Sequence, residues 1–264
     1  MHIIACVKQV LDPEIPPAKF TIDPEAKKVI PPPGVPPVIS VFDERAVEAA
    51  CRLKDKHGGK ITVISMGPEK VSDVVKHAIA MGADEGFVLH DDAFENVDSF
   101  GTAYVLGKAI QKIGEYDMVL CGRYSADWGA GQVGSILAEI LGIPVVTLAC
   151  DIEAMDKKVR VKRMVKDGYE VLEAPMPSLV TVSSEIGLPR LPAGMRLMIA
   201  RRAQIPVWTA QDIGAETSQL DTANAHTEVT SLSVPTRKTE CEFMTGDTPD
   251  ETAVNLALKL VELM

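Results

Sequence analysis

No apolar run in this chain of 264 residues approaches the roughly 20 residues that span a bilayer, so membrane insertion is not expected. Basic charge is also scarce. The formal net charge is −10, whereas a general nucleic-acid binder needs a basic face that releases counterions. The opening Met1-His2-Ile3-Ile4-Ala5-Cys6-Val7 lacks the basic start and small-residue cleavage site of a signal peptide, and reads as a buried strand. The five cysteines (Cys6, Cys51, Cys121, Cys150, Cys241) are odd in number, widely spaced and never form C-x-x-C. They point to reduced thiols in a cytoplasmic protein, and away from a disulfide frame or a zinc site. A Walker lysine, an H-E-x-x-H helix and metal-ligand spacing are missing too. None of the five histidines joins a Ser or Cys in a nucleophile motif. His90, at a strand end beside Asp91 and Asp92, is the one acid–base candidate, and it reads more simply as a solvated loop.

What the chain does have is a steady alternation of apolar runs and helix-period segments. Strands are predicted at Ile3–Val7, Ile61–Ser65, Gly86–Leu89, Met118–Cys121, Val145–Cys150 and Leu179–Val182. Helices are predicted at Glu44–Lys56, with Asp43 as its N-cap, and at Val71–Met81, Ser99–Ile113 and Ser135–Leu141. Strands that are apolar throughout, and do not alternate, indicate an α/β fold: an open, mostly parallel sheet with helices on both faces. Right-handed crossovers then gather the strand-to-helix loops on one edge, where ligands of such sheets bind. The proline-rich Val29–Val38 reads as an extended spacer, and Lys158–Val165 with Tyr169–Glu173 as a hairpin turning at Lys166-Asp167-Gly168. The expected division is an α/β nucleotide-binding domain over residues 1–200 and a C-terminal arm over 201–264. The arm is polar and Thr-rich from Asp212 to Pro249, then closes with a helix at Glu251–Leu263. It has little core of its own, so it should pack on the main domain or on another chain.

The most informative stretch runs from Cys121 to Gly134, after a strand pattern and into a helix pattern. Glycine there lets backbone N–H groups approach a phosphate, and a helix N-terminus adds partial positive charge. Gly129-Ala130-Gly131-Gln132-Val133-Gly134 even spells G-x-G-x-x-G, with Asp151 near the spacing of a ribose-binding acid. A nicotinamide dehydrogenase is nevertheless the weaker reading. Its first glycine belongs directly after the first strand of the unit, but eight residues (Cys121 to Trp128) intervene here and several strand–helix units come earlier. A nucleotide cradle without proton-transfer machinery suits a binding module, or a redox protein whose cofactor carries the chemistry.

Several segments, in order over residues 1 to about 200, resemble the β subunit of electron transfer flavoprotein. They are Cys6-Val7-Lys8-Gln9-Val10, Ser40 to Ala50, Ser65-Met66-Gly67-Pro68, Ala78 to Asp84, and the loop from Gly122-Arg123 through Gln132-Val133-Gly134 to Ala138-Glu139. The family usually has Asn-Pro where Ser40-Val41 stand. The resemblance implies a heterodimer with an α subunit embraced by the arm, electron exchange with a dehydrogenase, and an adenine nucleotide at the sheet edge. That nucleotide is AMP in the housekeeping branch. In the branch that bifurcates electrons from NADH it is the ADP part of a second FAD, and a further FAD is held mainly by the α subunit. Gly122-Arg123, Gln132-Val133-Gly134 and the small Gly129-Ala130-Gly131 favour FAD, whereas Val10 to Pro13, Tyr124 and Trp128 depart from that branch.

Carried over residue by residue, Val7 and Lys8 border the adenine, with Ser40, Phe42 and Asp43 beside it and Met66 and Gly67 closing one side. Asp127, Gly129, Gly131, Gln132, Val133 and Gly134 surround ribose and phosphates, and Arg123 meets a phosphate or the flavin edge, or forms a surface ion pair. Gly187 to Met198 matches the family's partner-recognition loop. Gly194 stands where the anchor leucine falls, Met195 or Leu197 replaces it or buries within a helix Pro192–Arg202, and Arg190, Arg196, Arg201 and Arg202 either steer an acidic partner or form a solvated helix face. Two rivals stay in view: a free-standing nucleotide-binding regulator similar in fold to universal stress proteins, and the NAD-dependent dehydrogenase.

Overall fold

A computed structural model describes residues 1–16, 19–234 and 241–263. The chain opens with β1 (His2–Cys6), the short strands β2 (Gln9–Val10), β3 (Thr21–Asp23), β4 (Lys28–Ile30) and β5 (Val38–Ile39), and α1 (Val41–His57). Next come β6 (Lys60–Met66), α2 (Ser72–Met81), β7 (Glu85–Leu89), α3 (Ser99–Ile113), β8 (Met118–Gly122) and α4 (Val133–Leu141). The second half contains β9 (Val145–Met155), β10 (Lys158–Val165), β11 (Gly168–Pro175), β12 (Ser178–Val182), α5 (Gly194–Arg202), β13 (Val207–Trp208), α6 (Ala210–Ile213) and α7 (Pro249–Glu262).

One nine-stranded sheet organises the chain, in the order β11-β10-β9-β12-β8-β1-β6-β7-β13. Only the β9–β10 and β10–β11 pairs are antiparallel; the rest of this sheet is parallel. The alternation of β1 shows how both faces are covered. Ile3, Ala5 and Val7 join Ala46, Val47 and Ala50 of α1 and Val74, Val75 and Ala78 of α2. Ile4 and Cys6 join Ala103, Leu106 and Ile110 of α3 and Leu137 and Ala138 of α4. The α/β fold with helices on both faces is therefore as the sequence predicts. From β1 the chain builds outward through β6 and β7 and then returns to place β8 on the other side of β1. The carboxyl ends of β1 and β8 therefore form the topological switch point, where the loops diverge and leave a crevice.

Five details differ from the sequence reading. Helix α1 starts at Val41, with Ser40 as N-cap, and Asp43 lies in its first turn. Helix α4 begins at Val133 and α5 at Gly194. Strand β9 runs on to Met155, past the expected Cys150, because its far half pairs with β10 across the hairpin. The sheet also does not stop before the arm. Val207 and Trp208 pair with Val88 and Leu89, and the Trp208 ring stacks on Phe87 at 4.0 Å. Thr209 and Asp212 form a capping box that starts α6, which buries Ala210 and Ile213. Beyond this, α7 buries none of its described residues, and residues 235–240 of the Thr-rich stretch lie outside the described part. Among the described residues no helix is long and apolar enough to cross a membrane.

Candidate functional site

The crevice between β1 and β8 is sewn together by a small polar network. Val7 donates its N–H to Ile64 O, which docks the end of β1 on β6, and Ser40 donates its N–H to Lys8 O, each at 2.9 Å. The Asp43 carboxylate accepts the Lys8 N–H on one oxygen and the Gly122 N–H on the other, again at 2.9 Å each. Ser40 Oγ accepts the Ala126 N–H at 3.3 Å. On the rim, Lys8 Nζ meets Asp127 at 2.7 Å, and Asp127 in turn accepts the Trp128 N–H at 2.8 Å. Three segments of distant sequence are thereby fixed to one another: the β1 loop, the entry to α1 and the β8 loop.

Burial pushes the Asp43 carboxyl up to about 7, against the Lys8 and Gly122 N–H groups and the Ser40 contact, which favour the anion. Asp127 behaves in the opposite way. Burial raises it, but the hydrogen bonds from Lys8 and Ser125 and the Lys8 charge outweigh burial and hold it below the ordinary carboxylate value. Cys6 and Cys121 lie side by side beneath the crevice. The neighbouring Cys121 and burial push the Cys6 thiol well up, which makes it a poor nucleophile.

The β8 loop rises over this base and ends on α4. Gly129 and Gly131 have φ of +64° and +66°, the left-handed region that a side chain disfavours. Gly134 serves a different purpose: a Cβ there would stand 2.7 Å from Thr181 Cγ2, so its absence lets the start of α4 lie against β12. Gln132 is the N-cap of α4 but makes no side-chain cap, so the first N–H groups, from Val133 onward, have no side chain closing over them. Beside them, a groove of about 500 Å³ is lined by Gly131, Gln132, Ile136, Phe100 and His226, with the last two rings 4.5 Å apart. Met66 and Gly67 border the crevice at the end of β6, where the Gly67 N–H donates to Leu89 O at 3.0 Å.

Arg123 forms no ion pair among the described residues. Its guanidinium lies 4.5 Å from the Tyr124 ring centre and 5.5 Å from that of Phe42, and those two rings are 4.4 Å apart. The buried Arg123 Nε has no hydrogen-bond partner among the described residues. A donor left unsatisfied next to a cradle of free N–H groups is chemistry that suits an anionic ligand. Phosphate oxygens accept hydrogen bonds, and a π-system stacks on Phe42 and Tyr124. An adenine nucleotide offers both, and the residues fit it.

The segment from Gly187 to Met198 divides into a pinned half and a bare half. Arg190 turns inward: its Nε meets buried Glu48 at 2.8 Å, its backbone N–H reaches the same carboxylate at 3.0 Å, and its terminal nitrogen meets Asp55 at 2.8 Å. Arg52 adds hydrogen bonds to Ile186 O and Leu188 O. Burial works against Glu48, yet the two arginines hold its carboxyl below the ordinary value. Arg196 likewise donates to Ala83 O, so Arg190 and Arg196 serve the fold, while Arg201 and Arg202 are exposed. Gly194, Met195 and Leu197 lie on the outer surface, Met195 at 77 % exposure; neither apolar side chain buries within the helix. Among its large apolar side chains Leu191 is the most exposed, at 92 %.

The electron transfer flavoprotein domain family matches residues 33–213, from just before Ser40 to the end of α6. The chain belongs to the electron transfer flavoprotein family, as a β-type subunit. It is 38 % identical over 248 residues to the electron transfer flavoprotein subunit beta of Thermoanaerobacterium thermosaccharolyticum, covering 94 % of this chain and 93 % of the relative. It is 37 % identical to the caffeyl-CoA reductase-Etf complex subunit CarD of Acetobacterium woodii, covering 99 % and 98 %. Protein FixA of Azorhizobium caulinodans is 34 % identical over 82 % of this chain and 78 % of its own length. Electron transfer is thus the family's activity, and β subunits of this family imply an α subunit as partner.

Of the residues picked from sequence for the nucleotide edge, Val7, Lys8, Ser40, Phe42, Asp43, Arg123 and Asp127 belong to the hydrogen bonds and ring contacts described above, Gly129 to Gly134 lie on the β8 loop and the first turn of α4, and Met66 and Gly67 lie at the end of β6. Asp151, by contrast, is an exposed residue of β9, and β12 stands between β9 and β8. That placement removes the ribose acid on which the dehydrogenase reading leaned. Glu48 went unnoticed in the sequence, although a glutamate one turn before Arg52 on the apolar side of α1 is a recognisable sign of a buried pair.

Proposed function

We propose that this chain is the β subunit of a heterodimeric electron transfer flavoprotein. It binds an adenine nucleotide at the β1/β8 crevice, the ADP part of FAD in preference to AMP, and passes electrons between a dehydrogenase and an acceptor. The observation that carries this reading is the β8 loop, where uncapped N–H groups of α4, left-handed Gly129 and Gly131 and the unpartnered Arg123 Nε converge beside a frame built by Asp43 and Lys8. FAD, when bound, would supply hydride and single-electron chemistry. The protein's own part is to hold it: Gly131, Gln132, Val133 and Gly134 offer backbone N–H groups to phosphate, Phe42 and Tyr124 offer ring faces, and Lys8 with Asp127 fixes the rim. The groove beyond Gly131 and Gln132 supports a ligand longer than AMP. A bifurcating role, with NADH as donor, is the finer part of the proposal. The bare apolar face of α7 and the exposed Leu188, Leu191 and Met195 support two partner surfaces, the α subunit for the arm and a dehydrogenase for the loop.

Anaerobic titration of the purified heterodimer with NADH tests the redox part. Bleaching of two flavins per heterodimer is the expected result. Bleaching of a single flavin, or none, by NADH would refute the bifurcating role.

A further inference from the structure

Among the residues of the crevice, Asp43 is the carboxylate whose oxygens are spent on the protein. It is 7 % exposed, it lies in the first turn of α1, and each carboxylate oxygen takes one backbone N–H from a different loop. One of those loops carries Lys8, and the other continues through Ala126 and Asp127 to Gly131. The fit under Gly122 is close: a Cβ there would be 2.8 Å from the Phe42 backbone and closer still to the Asp43 carboxylate. Buried Ser40 spans the same gap beside it, with its N–H on Lys8 O and its Oγ accepting the Ala126 N–H at the longer distance of 3.3 Å. The Lys8–Asp127 pair joins the loops only at the exposed rim, where an ion pair contributes little.

We propose that Asp43 is the positioning residue of the nucleotide edge: its carboxylate sets the spacing of the β1 and β8 loops, so that protonating it loosens a nucleotide that it does not itself touch. This rests on the nucleotide reading of the crevice. A carboxylate accepts charge-assisted bonds from both N–H groups, whereas a neutral carboxyl accepts more weakly and brings a proton that needs its own acceptor. Because burial has already brought this group to about 7, the change falls within ordinary working pH. The titratable groups that act on Asp43 are Lys8 and the Cys6 thiol from the β1 side, with Cys121 beside Cys6; the β8 loop also carries Arg123 and Asp127, and on its own helix Glu44 follows it in sequence, paired with His77 of α2 at 2.7 Å. Asp127 is held below the ordinary carboxylate value and Cys6 well above the thiol value. His77 is therefore the neighbour that must be tested separately.

The experiment measures AMP affinity of the full chain in complex with its α subunit, freed of bound nucleotide, between about pH 5.5 and about pH 8.5. Ionisation of AMP itself is common to every variant and cancels in the ratio of dissociation constants. For Asp43→Asn against the parent, that ratio is expected to be about tenfold at the alkaline end and to fall to about one at the acid end, since a charged acceptor matters more than a neutral one. His77→Gln should give a ratio near one throughout. A ratio for Asp43→Asn that does not change with pH, or tight binding by that variant at the alkaline end, would overturn the proposal. Should Asp43→Asn fail to fold, the parent complex set against His77→Gln decides: in both, the AMP dissociation constant, corrected for the ionisation of AMP, should rise about tenfold from the alkaline to the acid end. A corrected dissociation constant that does not change with pH would overturn it equally. Absence of AMP binding by the parent at every pH would overturn the nucleotide reading itself, and the positioning role with it.

Discussion

Replacing Gly134 with alanine should destabilise the protein, although the same replacement in an unconstrained helix position stabilises. Gly134 lies in the first turn of α4 with an ordinary helical backbone, where alanine is favoured over glycine by about 1 kcal/mol. The added Cβ would, however, stand 2.7 Å from Thr181 Cγ2 and 3.6 Å from Leu179 Cδ2, against an optimal carbon separation of about 3.5–4.0 Å. Thr181 cannot swing aside freely. It is β-branched and buried on β12, and its Oγ1 accepts the Leu148 N–H at 3.0 Å. That bond supports a residue already held at φ +61°, beside the register shift between β9 and β12. Overpacking a methyl into such a site costs about 1–3 kcal/mol, and part of that is offset by helix propensity. The 2.7 Å approach to a locked side chain puts the cost in the upper half of that range, so the expected net loss is about 1–2 kcal/mol, with α4 displaced from the sheet and weaker nucleotide retention. Thr181→Ser removes the clashing methyl but keeps the hydroxyl, so the double variant should recover most of the loss. Denaturant unfolding of parent, both singles and the double closes the cycle. A Gly134→Ala protein as stable as the parent, or a double variant no better than Gly134→Ala alone, would refute the packing argument.

Glu48→Ala should cost about 2 kcal/mol: breaking a buried pair costs about 3–5 kcal/mol, discounted here because Arg52 and Arg190 are themselves 46 % and 32 % exposed. It should also expose Ile186 to Leu191 to limited proteolysis; unaltered cleavage would show that the loop is held by other contacts. Asp43 predicts a stability effect of opposite sense to its binding effect. Its folded value lies above the ordinary aspartate value of 3.8, so its contribution is full below 3.8 and is lost as pH rises towards about 7. The interval corresponds to at most about 4 kcal/mol, so nucleotide-free Asp43→Asn should melt higher than the parent at alkaline pH; a lower melt would contradict the burial argument. Lys8→Met should change stability by no more than about 1 kcal/mol, because the Lys8–Asp127 pair is solvated at 42 % and 30 % exposure. A larger loss would mean that the rim pair carries the frame attributed to Asp43.

The parallel core was legible because β1, β6, β8 and β12 are mainly apolar and do not alternate, so that nearly every position is buried, and the intervening helices keep their period. Strand β13 was hidden for the opposite reason: two residues, Val207 and Trp208, carry no periodicity, and only the Thr209–Asp212 capping box marked the helix that follows. Asp43 shows the limit at the site. Its position before an amphipathic run reads as an N-cap, and only the closed sheet shows that Lys8 and Gly122 share its carboxylate, one on each oxygen. Arg190 misled for a similar reason. An arginine in an exposed loop of an acidic chain suggests a partner, but its acceptor, Glu48, is 142 positions away. By contrast, Met195 and Leu197 emerged exposed because α5 has no continuous apolar stripe to bury; its last turn alternates Met198, Ile199 and Arg201 over the surface, and only Ala200 faces the core.

The central claim is that this chain, in its complex, holds an adenine nucleotide of its own at the β1/β8 crevice. Release of bound ligands from the purified heterodimer, with quantitation by chromatography and visible spectrum, tests it most directly. Two FAD per heterodimer is the predicted result, and one FAD with one AMP would keep the crevice but correct its ligand. A single FAD with no further adenine nucleotide would contradict the account.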